Sequence, residues 1–147
     1  MNVSLKEWSR NRWLIEHKTN RQEINDLLSI ADRDIADCQI STLSPDWRLN
    51  IAYNSAVQSA TAALAASGYH ASREMHHYRV IQSLAHTIEV DNAFIALLEK
   101  FRKKRNIGEY DRAGAISVQE AIEMLNMAKA LRKQVEEWLR VHHPNLI

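Results

Sequence analysis

The chain contains 147 residues, of which 46% are hydrophobic and 25% are charged, and its formal net charge is +1. This composition predicts one folded domain over residues 1–147 and excludes both a disordered chain and a bulk polycation, so any contact with nucleic acid requires a local basic patch. Only three Gly and two Pro are present, too few for the many turns of a β-sandwich or barrel, which favours long helices.

The cellular compartment is suggested by what the sequence lacks. The single cysteine, Cys38, excludes an internal disulfide and a cysteine-rich zinc site, and it is typical of a protein in a reducing compartment. Polar residues follow Met1, so no signal peptide is expected. The most apolar stretch, residues 62–66, is too short to cross a bilayer. We therefore expect a cytoplasmic protein without a membrane partner.

Helix-capping patterns mark the first two predicted helices. Ser4 with Glu7 forms a capping box at the start of a short segment that extends to Ile15. Asn20 with Glu23 forms a second capping box, which is followed by an apolar stripe with helical spacing.

A long third helix is predicted from about Asp46 to Ser67. Ser44 supplies its N-cap, Pro45 is suited to its first turn, and Gly68 ends it. The second half of this helix is rich in Ala, and small residues allow neighbouring helices to approach closely. We therefore expect this helix to be the central one.

Three further segments complete the predicted fold. Helices are expected from near Ser72 and from near Asp91, and a last helix runs from the capping box of Ser117 and Glu120 to Pro144. Two glycines, at positions 108 and 114, predict a loosened segment over residues 109–113. The architecture is therefore expected to be all-α, an up-and-down bundle of five to six helices.

The basic run at residues 102–105 is the strongest candidate for a chemical site. Arg105 lies only about 40° from Phe101 and about 20° from Leu98 around the helix axis, so it continues the apolar stripe of its helix. A guanidinium that is buried without a partner is costly, so Arg105 requires a carboxylate, a partner subunit or a ligand. The alternative is a guanidinium that reaches solvent at the helix end and pairs with Glu109.

The neighbours of Arg105 are weaker candidates. Arg102, Lys103 and Lys104 are typical of a solvated helix face. Asn106 and Tyr110 are four residues apart and would share one face if the helix continues, but a helix-end cap and a half-buried aromatic residue explain them equally well.

The other sequence patterns give no support for a metal, cofactor or nucleophile site. Glu74 and His77 have the Glu-x-x-His spacing of di-iron bundles, but such sites need a second copy, which is missing, so no metal site is expected. His76 and His77 are interpreted as partly exposed residues at a helix start. No Gly-rich phosphate loop and no nucleophile elbow is present, so no cofactor is predicted. The four tryptophans are interpreted as core and cover residues: Trp8, Trp13, Trp47 and Trp138.

The segment from Phe101 to Asp111, F-R-K-K-R-N-I-G-E-Y-D, resembles the signature of the HEPN domains, small helical domains of prokaryotic RNases, toxins and nucleotidyltransferase partners. Their motif is an Arg, often followed by a polar residue such as Asn, then four to six residues and a His. Residues 49–56, L-N-I-A-Y-N-S-A, and the closing helix after Ser117 are also similar. The resemblance is strongest over residues 45–139.

The resemblance implies a helical bundle that forms a homodimer, with the motif residues of both subunits in one cleft. Active members cleave RNA without metal: the 2′-hydroxyl attacks the adjacent phosphate, the His moves protons and the Arg stabilises the phosphate. By this resemblance Arg105 binds phosphate, Asn106 orients it and Tyr110 hydrogen-bonds the substrate. The cations that attract the RNA backbone are Arg102, Lys103 and Lys104.

This sequence departs from the motif at Tyr110, which occupies the position of the His. A phenol with a pKa of about 10 is a poor general base near neutral pH, whereas an imidazole near 6.5 is well suited. His76 or His77 can replace the missing base only if their helix faces the cleft.

Three functions remain open at this point. The first is a HEPN-like protein that binds or cleaves RNA, as part of a toxin–antitoxin or defence system. The second is a non-catalytic module that dimerises or pairs with a nucleotidyltransferase and holds a nucleotide. The third is a structural bundle in which Arg105 only pairs with Glu109.

Overall fold

The computed structural model describes the backbone of residues 3–110 and 116–147 and the side chains of residues 5–105 and 116–147. This part of the chain is a bundle of six helices with one small antiparallel sheet, which confirms the all-α prediction. In chain order the elements are α1 (Val3–Arg10), β1 (Leu14–Glu16), α2 (Arg21–Asp37), α3 (Pro45–Ala66), β2 (Tyr69–Ala71), α4 (His76–Ser83), α5 (Asn92–Tyr110), α6 (Val118–His142) and a short 3-10 helix (Pro144–Leu146).

Side-chain caps begin three of the helices where the sequence predicts them. Asn20 accepts a hydrogen bond from the backbone N–H of Glu23 at 2.8 Å and starts α2. Ser44 caps α3. Ser117 and Glu120 cap each other's backbone N–H groups at the start of α6. Each cap satisfies an amide that the first helical turn leaves without a partner.

The central helix is α3, as predicted, and it packs most extensively against α2 and α6. Its buried face is built largely from small residues, which let the neighbouring backbones approach closely. The Ser55 hydroxyl, for example, donates to the carbonyl oxygen of Ala31 on α2 at 2.8 Å. Nearby, the amide of Asn54 donates to the carboxylate of Asp34 on α2 at 2.6 Å. Gly68, at φ +100°, ends this region in a conformation that favours glycine.

The predicted start of the fourth helix near Ser72 is wrong, because α4 begins at His76. Residues 69–71 instead pair with residues 14–16 as an antiparallel ladder in which Ile15 lies opposite His70. Met75 has a left-handed backbone, with φ +55°, and this conformation cannot continue a helix that starts at Ser72. Ile15, expected on the first helix, lies in β1 and is 49% exposed.

Three smaller expectations also fail. Trp47 is 63% exposed, so it is not a core residue. The first helix starts at Val3, so its backbone includes Ser4, whose side chain lies outside the described residues. Helix α5 continues through Gly108 to Tyr110, so the helix is not loosened there, and residues 111–115 lie outside the described part of the chain.

Buried side chains from all six helices join one hydrophobic core. Helix α5 contributes Leu98 and Phe101, which are 1% and 0% exposed. Cys38 is buried in the same core, as its position on the apolar stripe of α2 predicts. No helix in the described ranges is both long enough and apolar enough to span a bilayer.

Candidate functional site

Arg105 lies on the inner side of α5, where the helical spacing predicts it. Its side chain is half-buried, and its Cζ atom lies 5.2 Å from the centroid of the Tyr53 ring on α3. Among the described side chains, Arg105 has no carboxylate partner. The side chain of Glu109, the alternative partner, lies outside the described residues. Within the described residues, the guanidinium therefore contacts an aromatic face and has no carboxylate that competes with a bound anion for its hydrogen-bond donors.

Tyr53 forms the base of this site. The residue is 1% exposed, yet its hydroxyl group has no hydrogen-bond partner in the part of the chain that the structure describes. Burial raises the pKa of the Tyr53 phenol, so the hydroxyl stays protonated and can act as a donor. A buried hydroxyl without a partner is destabilising, and such groups are few in native proteins.

His77 completes the cluster from α4. Its ring centroid lies 5.7 Å from that of Tyr53 and 5.9 Å from that of His76. Burial lowers the pKa of the His77 imidazole, and the positive charge of Arg105 lowers it further, followed by His76 and Arg102. His77 is therefore neutral at pH 7 and can accept a proton.

The structure thus brings His77 and Arg105 together around one tyrosine. The sequence named both histidines only as secondary candidates whose relevance depended on the direction in which their helix faces. It did not identify Tyr53 as a site residue. The only sequence feature that included Tyr53 was its pairing with Asn54 in residues 49–56. That pattern does not show which polar side chain will lack a hydrogen-bond partner after folding.

The predicted RNA-binding cations differ in their surroundings. Arg102 donates two hydrogen bonds to the carboxylate of Glu99, each 3.0 Å long. Lys104 pairs with Glu120, which links α5 to the start of α6. Lys103 is exposed and, among the described side chains, has no carboxylate within pairing distance. Only Lys103 therefore fits the prediction of a free surface cation.

The remaining predicted site residues, Asn106 and Tyr110, lie in the last turns of α5, which continues without interruption from Arg105. Their side chains lie outside the described residues. No three His, Cys, Asp or Glu side chains converge as a metal site within the described residues.

Replacing Tyr53 with Phe is expected to raise the free energy of unfolding by about 1 kcal/mol or more, because the change removes a buried hydroxyl that has no partner. Urea unfolding at pH 7 measures the effect. Tyr69→Phe, on the partly exposed strand β2, is the matched control and should change stability by less than about 0.5 kcal/mol. A loss of stability in Tyr53→Phe would show that the hydroxyl is satisfied in solution.

Comparison with models of known protein families gives no match to this chain. Comparison with curated proteins gives no match either. The cluster formed by Arg105, Tyr53 and His77 is therefore the feature of this chain that bears on its function.

Proposed function

We propose that this protein is a HEPN-like RNA-binding protein that also cleaves RNA without a metal ion. It acts in the cytoplasm as part of a toxin–antitoxin or defence system. The single observation that supports this proposal is the half-buried guanidinium of Arg105, which lies over the Tyr53 ring beside a neutral His77 and has no carboxylate partner among the described side chains. A phosphodiester supplies the missing negative charge.

The three groups of this cluster match the needs of RNA cleavage. Arg105 presents planar donors that bind two oxygens of one phosphate. The buried Tyr53 ring lies beneath this guanidinium and supports its position. His77 has the lowered pKa of a base that is unprotonated near pH 7. Together they hold an anion and accept a proton within one small region.

The reaction proceeds by attack within the RNA chain. The 2′-oxygen forms a bond to the adjacent phosphorus, and its proton passes to a ring nitrogen of His77. The bond between phosphorus and the 5′-oxygen breaks, and the departing 5′-oxygen takes a proton from water. The hydroxide that this leaves takes the proton from His77, which returns to its neutral form. The products are a 2′,3′-cyclic phosphate and a 5′-hydroxyl. Arg105 stabilises the charge that accumulates on the phosphate oxygens.

The other predicted residues have supporting roles in this proposal. Asn106 orients the phosphate and Tyr110 hydrogen-bonds the substrate, as the HEPN resemblance implies. Lys103 attracts the RNA backbone through its exposed charge. Arg102 and Lys104 also attract the backbone, but their ion pairs with Glu99 and Glu120 hold them in fixed positions. The protein is a homodimer in which two such sites face each other, and sedimentation measures this state directly.

Purified protein in EDTA should bind and cleave short RNA, and Arg105→Ala should lower the RNA affinity roughly 10- to 100-fold, the usual value of a charged hydrogen bond. Fluorescence anisotropy measures binding, and gel analysis measures cleavage. Tyr110→Phe removes only the phenolic hydroxyl, so cleavage by this variant shows whether that hydroxyl is needed in addition to His77. The control is Arg140→Ala, because Arg140 is exposed, pairs with Glu136 and lies at the far end of α6.

Two outcomes would contradict the proposal. Wild-type protein that fails to bind RNA even at low salt excludes an RNA function. Wild-type protein that binds mononucleotides through Arg105 but never cleaves RNA supports instead the non-catalytic module that partners a nucleotidyltransferase.

A further inference from the structure

A second half-buried arginine lies over an aromatic ring near the Arg105 cluster. The Cζ atom of Arg79, on α4, lies 3.8 Å from the centroid of the Trp13 ring and 5.4 Å from that of Tyr78. All three residues are half-buried. Among the described side chains, Arg79 forms no ion pair with a carboxylate. Arg79 therefore repeats the arrangement of Arg105: a guanidinium on an aromatic face that no described carboxylate neutralises.

The two arginines belong to one continuous surface. The Cζ atom of Arg102 lies 5.9 Å from the centroid of the Tyr78 ring, which also contacts Arg79. Burial raises the pKa of Tyr53 and lowers that of His77, and the charges of Arg105 and then Arg102 act on both groups in the lowering direction, so Arg102 is close to the Arg105 cluster. Arg102 is itself neutralised by Glu99. It therefore connects two regions of free positive charge.

Cations that alternate with aromatic rings fit an unpaired nucleic-acid strand. Its phosphates need positive charges at intervals, and its bases need flat apolar surfaces on which to stack. A duplex satisfies the first need but keeps its bases stacked inside the helix, where a surface ring cannot reach them. A guanidinium that already lies over an indole ring also presents a flat outer surface for a base.

We propose that Trp13, Tyr78 and Arg79 form a second nucleotide subsite that binds an unpaired nucleotide of single-stranded RNA, next to the phosphate held by Arg105. Arg79 binds the neighbouring phosphate, and the base stacks on the surface made by the Arg79 guanidinium and the Tyr78 ring. This inference rests on the proposed function and adds the class of substrate, which is single-stranded RNA. It also revises the interpretation of Trp13 as a core or cover residue.

The test compares a fluorescein-labelled 12-nucleotide RNA as a single strand and as a duplex, with anisotropy measured from about 0.05 to 0.2 M salt. Wild type should bind the single strand at least about tenfold more tightly than the duplex. Arg79→Gln should weaken single-strand binding roughly tenfold, and its plot of log K against log salt should lose about 0.7 in slope, one phosphate contact. Arg73→Gln, an exposed arginine just before α4, is the matched control and should stay within about twofold of wild type.

Two variants separate the subsite from a change in folding. Arg79→Lys keeps the charge but not the planar stack, so its affinity should fall between those of wild type and Arg79→Gln. Trp13→Phe leaves a smaller ring below Arg79, so single-strand binding should weaken, but by less than in Arg79→Gln. The variant should also lose part of the tryptophan quenching that single-stranded RNA causes in wild type. Circular dichroism spectra and melting curves show whether each variant is folded.

Each result has a definite meaning. If Arg105→Ala loses RNA affinity while folded Arg79→Gln binds like wild type, the subsite is wrong and the proposed function stands. Equal affinity of wild type for the single strand and the duplex overturns the substrate class. If wild type binds neither RNA, both the subsite and the proposed function are wrong.

Discussion

Replacing His77 with Gln will lower the rate of RNA cleavage about 10²- to 10⁴-fold, the usual contribution of a positioned general base. RNA affinity should change little, because Arg105 still holds the phosphate. Gln is similar in size to His and can hydrogen-bond, but it cannot accept a proton near pH 7. The expected signature is therefore a large loss in kcat with a nearly unchanged dissociation constant.

The pH dependence of cleavage identifies the base independently of the mutation. His77 acts in its neutral form, and burial together with Arg105, His76 and Arg102 lowers its pKa below the ordinary value of 6.5. No described carboxylate is among the groups that shift the pKa of His77, and Glu99, which acts on Tyr53, is bound by Arg102. In wild type, kcat/KM should therefore stay high at neutral pH and fall only as the pH drops below 6.5. The residual activity of His77→Gln should lack this acid limb.

His86→Gln is the matched control for this experiment. Burial lowers the pKa of His86 as well, but its ring packs on Trp8, at 5.2 Å between centroids, away from the Arg105 cluster. His86→Gln should retain full activity. A loss of cleavage in His76→Gln with none in His77→Gln would move the base to the neighbouring residue, and normal cleavage in both would remove histidine catalysis from the mechanism.

The caps and the apolar stripes make most of this fold predictable, because they act within a few residues along the chain. Asn20, Ser44 and Ser117 each satisfy a backbone amide three residues away, and the sequence shows both partners. The small sheet is different. Its two strands are three residues long and separated by more than fifty residues, so neither strand carries enough alternation to be recognised, and only tertiary contact pairs them.

In the candidate site, too, the features set by local helix geometry were predictable from the sequence, whereas those set by tertiary packing were not. The burial of Arg105 follows from its angle to Leu98 and Phe101 on one helix, which local geometry fixes. The approach of His77 depends on where α4 packs, and α4 begins later than predicted because Met75 has a left-handed backbone. The role of Tyr53 depends on a hydrogen bond that is not made within the described residues. A missing partner is a property of the assembled fold and leaves no pattern in the sequence.

Replacing Phe101 with Ala is expected to destabilise the protein by about 3–5 kcal/mol, the usual cost of a phenylalanine cavity in a core. Phe101 is 0% exposed and lies in the hydrophobic core that joins α5 to the rest of the bundle. Because small proteins are stable by only about 5–15 kcal/mol, this single change removes a large fraction of the total. Urea unfolding should show a lower midpoint with an unchanged slope, and the melting temperature should fall by roughly 10 °C.

Lys100→Ala, the exposed neighbour of Phe101 on α5, is the control and should change stability by less than about 0.5 kcal/mol. A cost below about 1 kcal/mol for Phe101→Ala would show that α5 is not anchored as described. Phe101 also holds the helix that carries Arg102 and Arg105 over the rings of Tyr78 and Tyr53. Phe101→Ala should therefore weaken RNA binding even at temperatures where the protein stays folded, because the guanidinium positions depend on the packing beneath them.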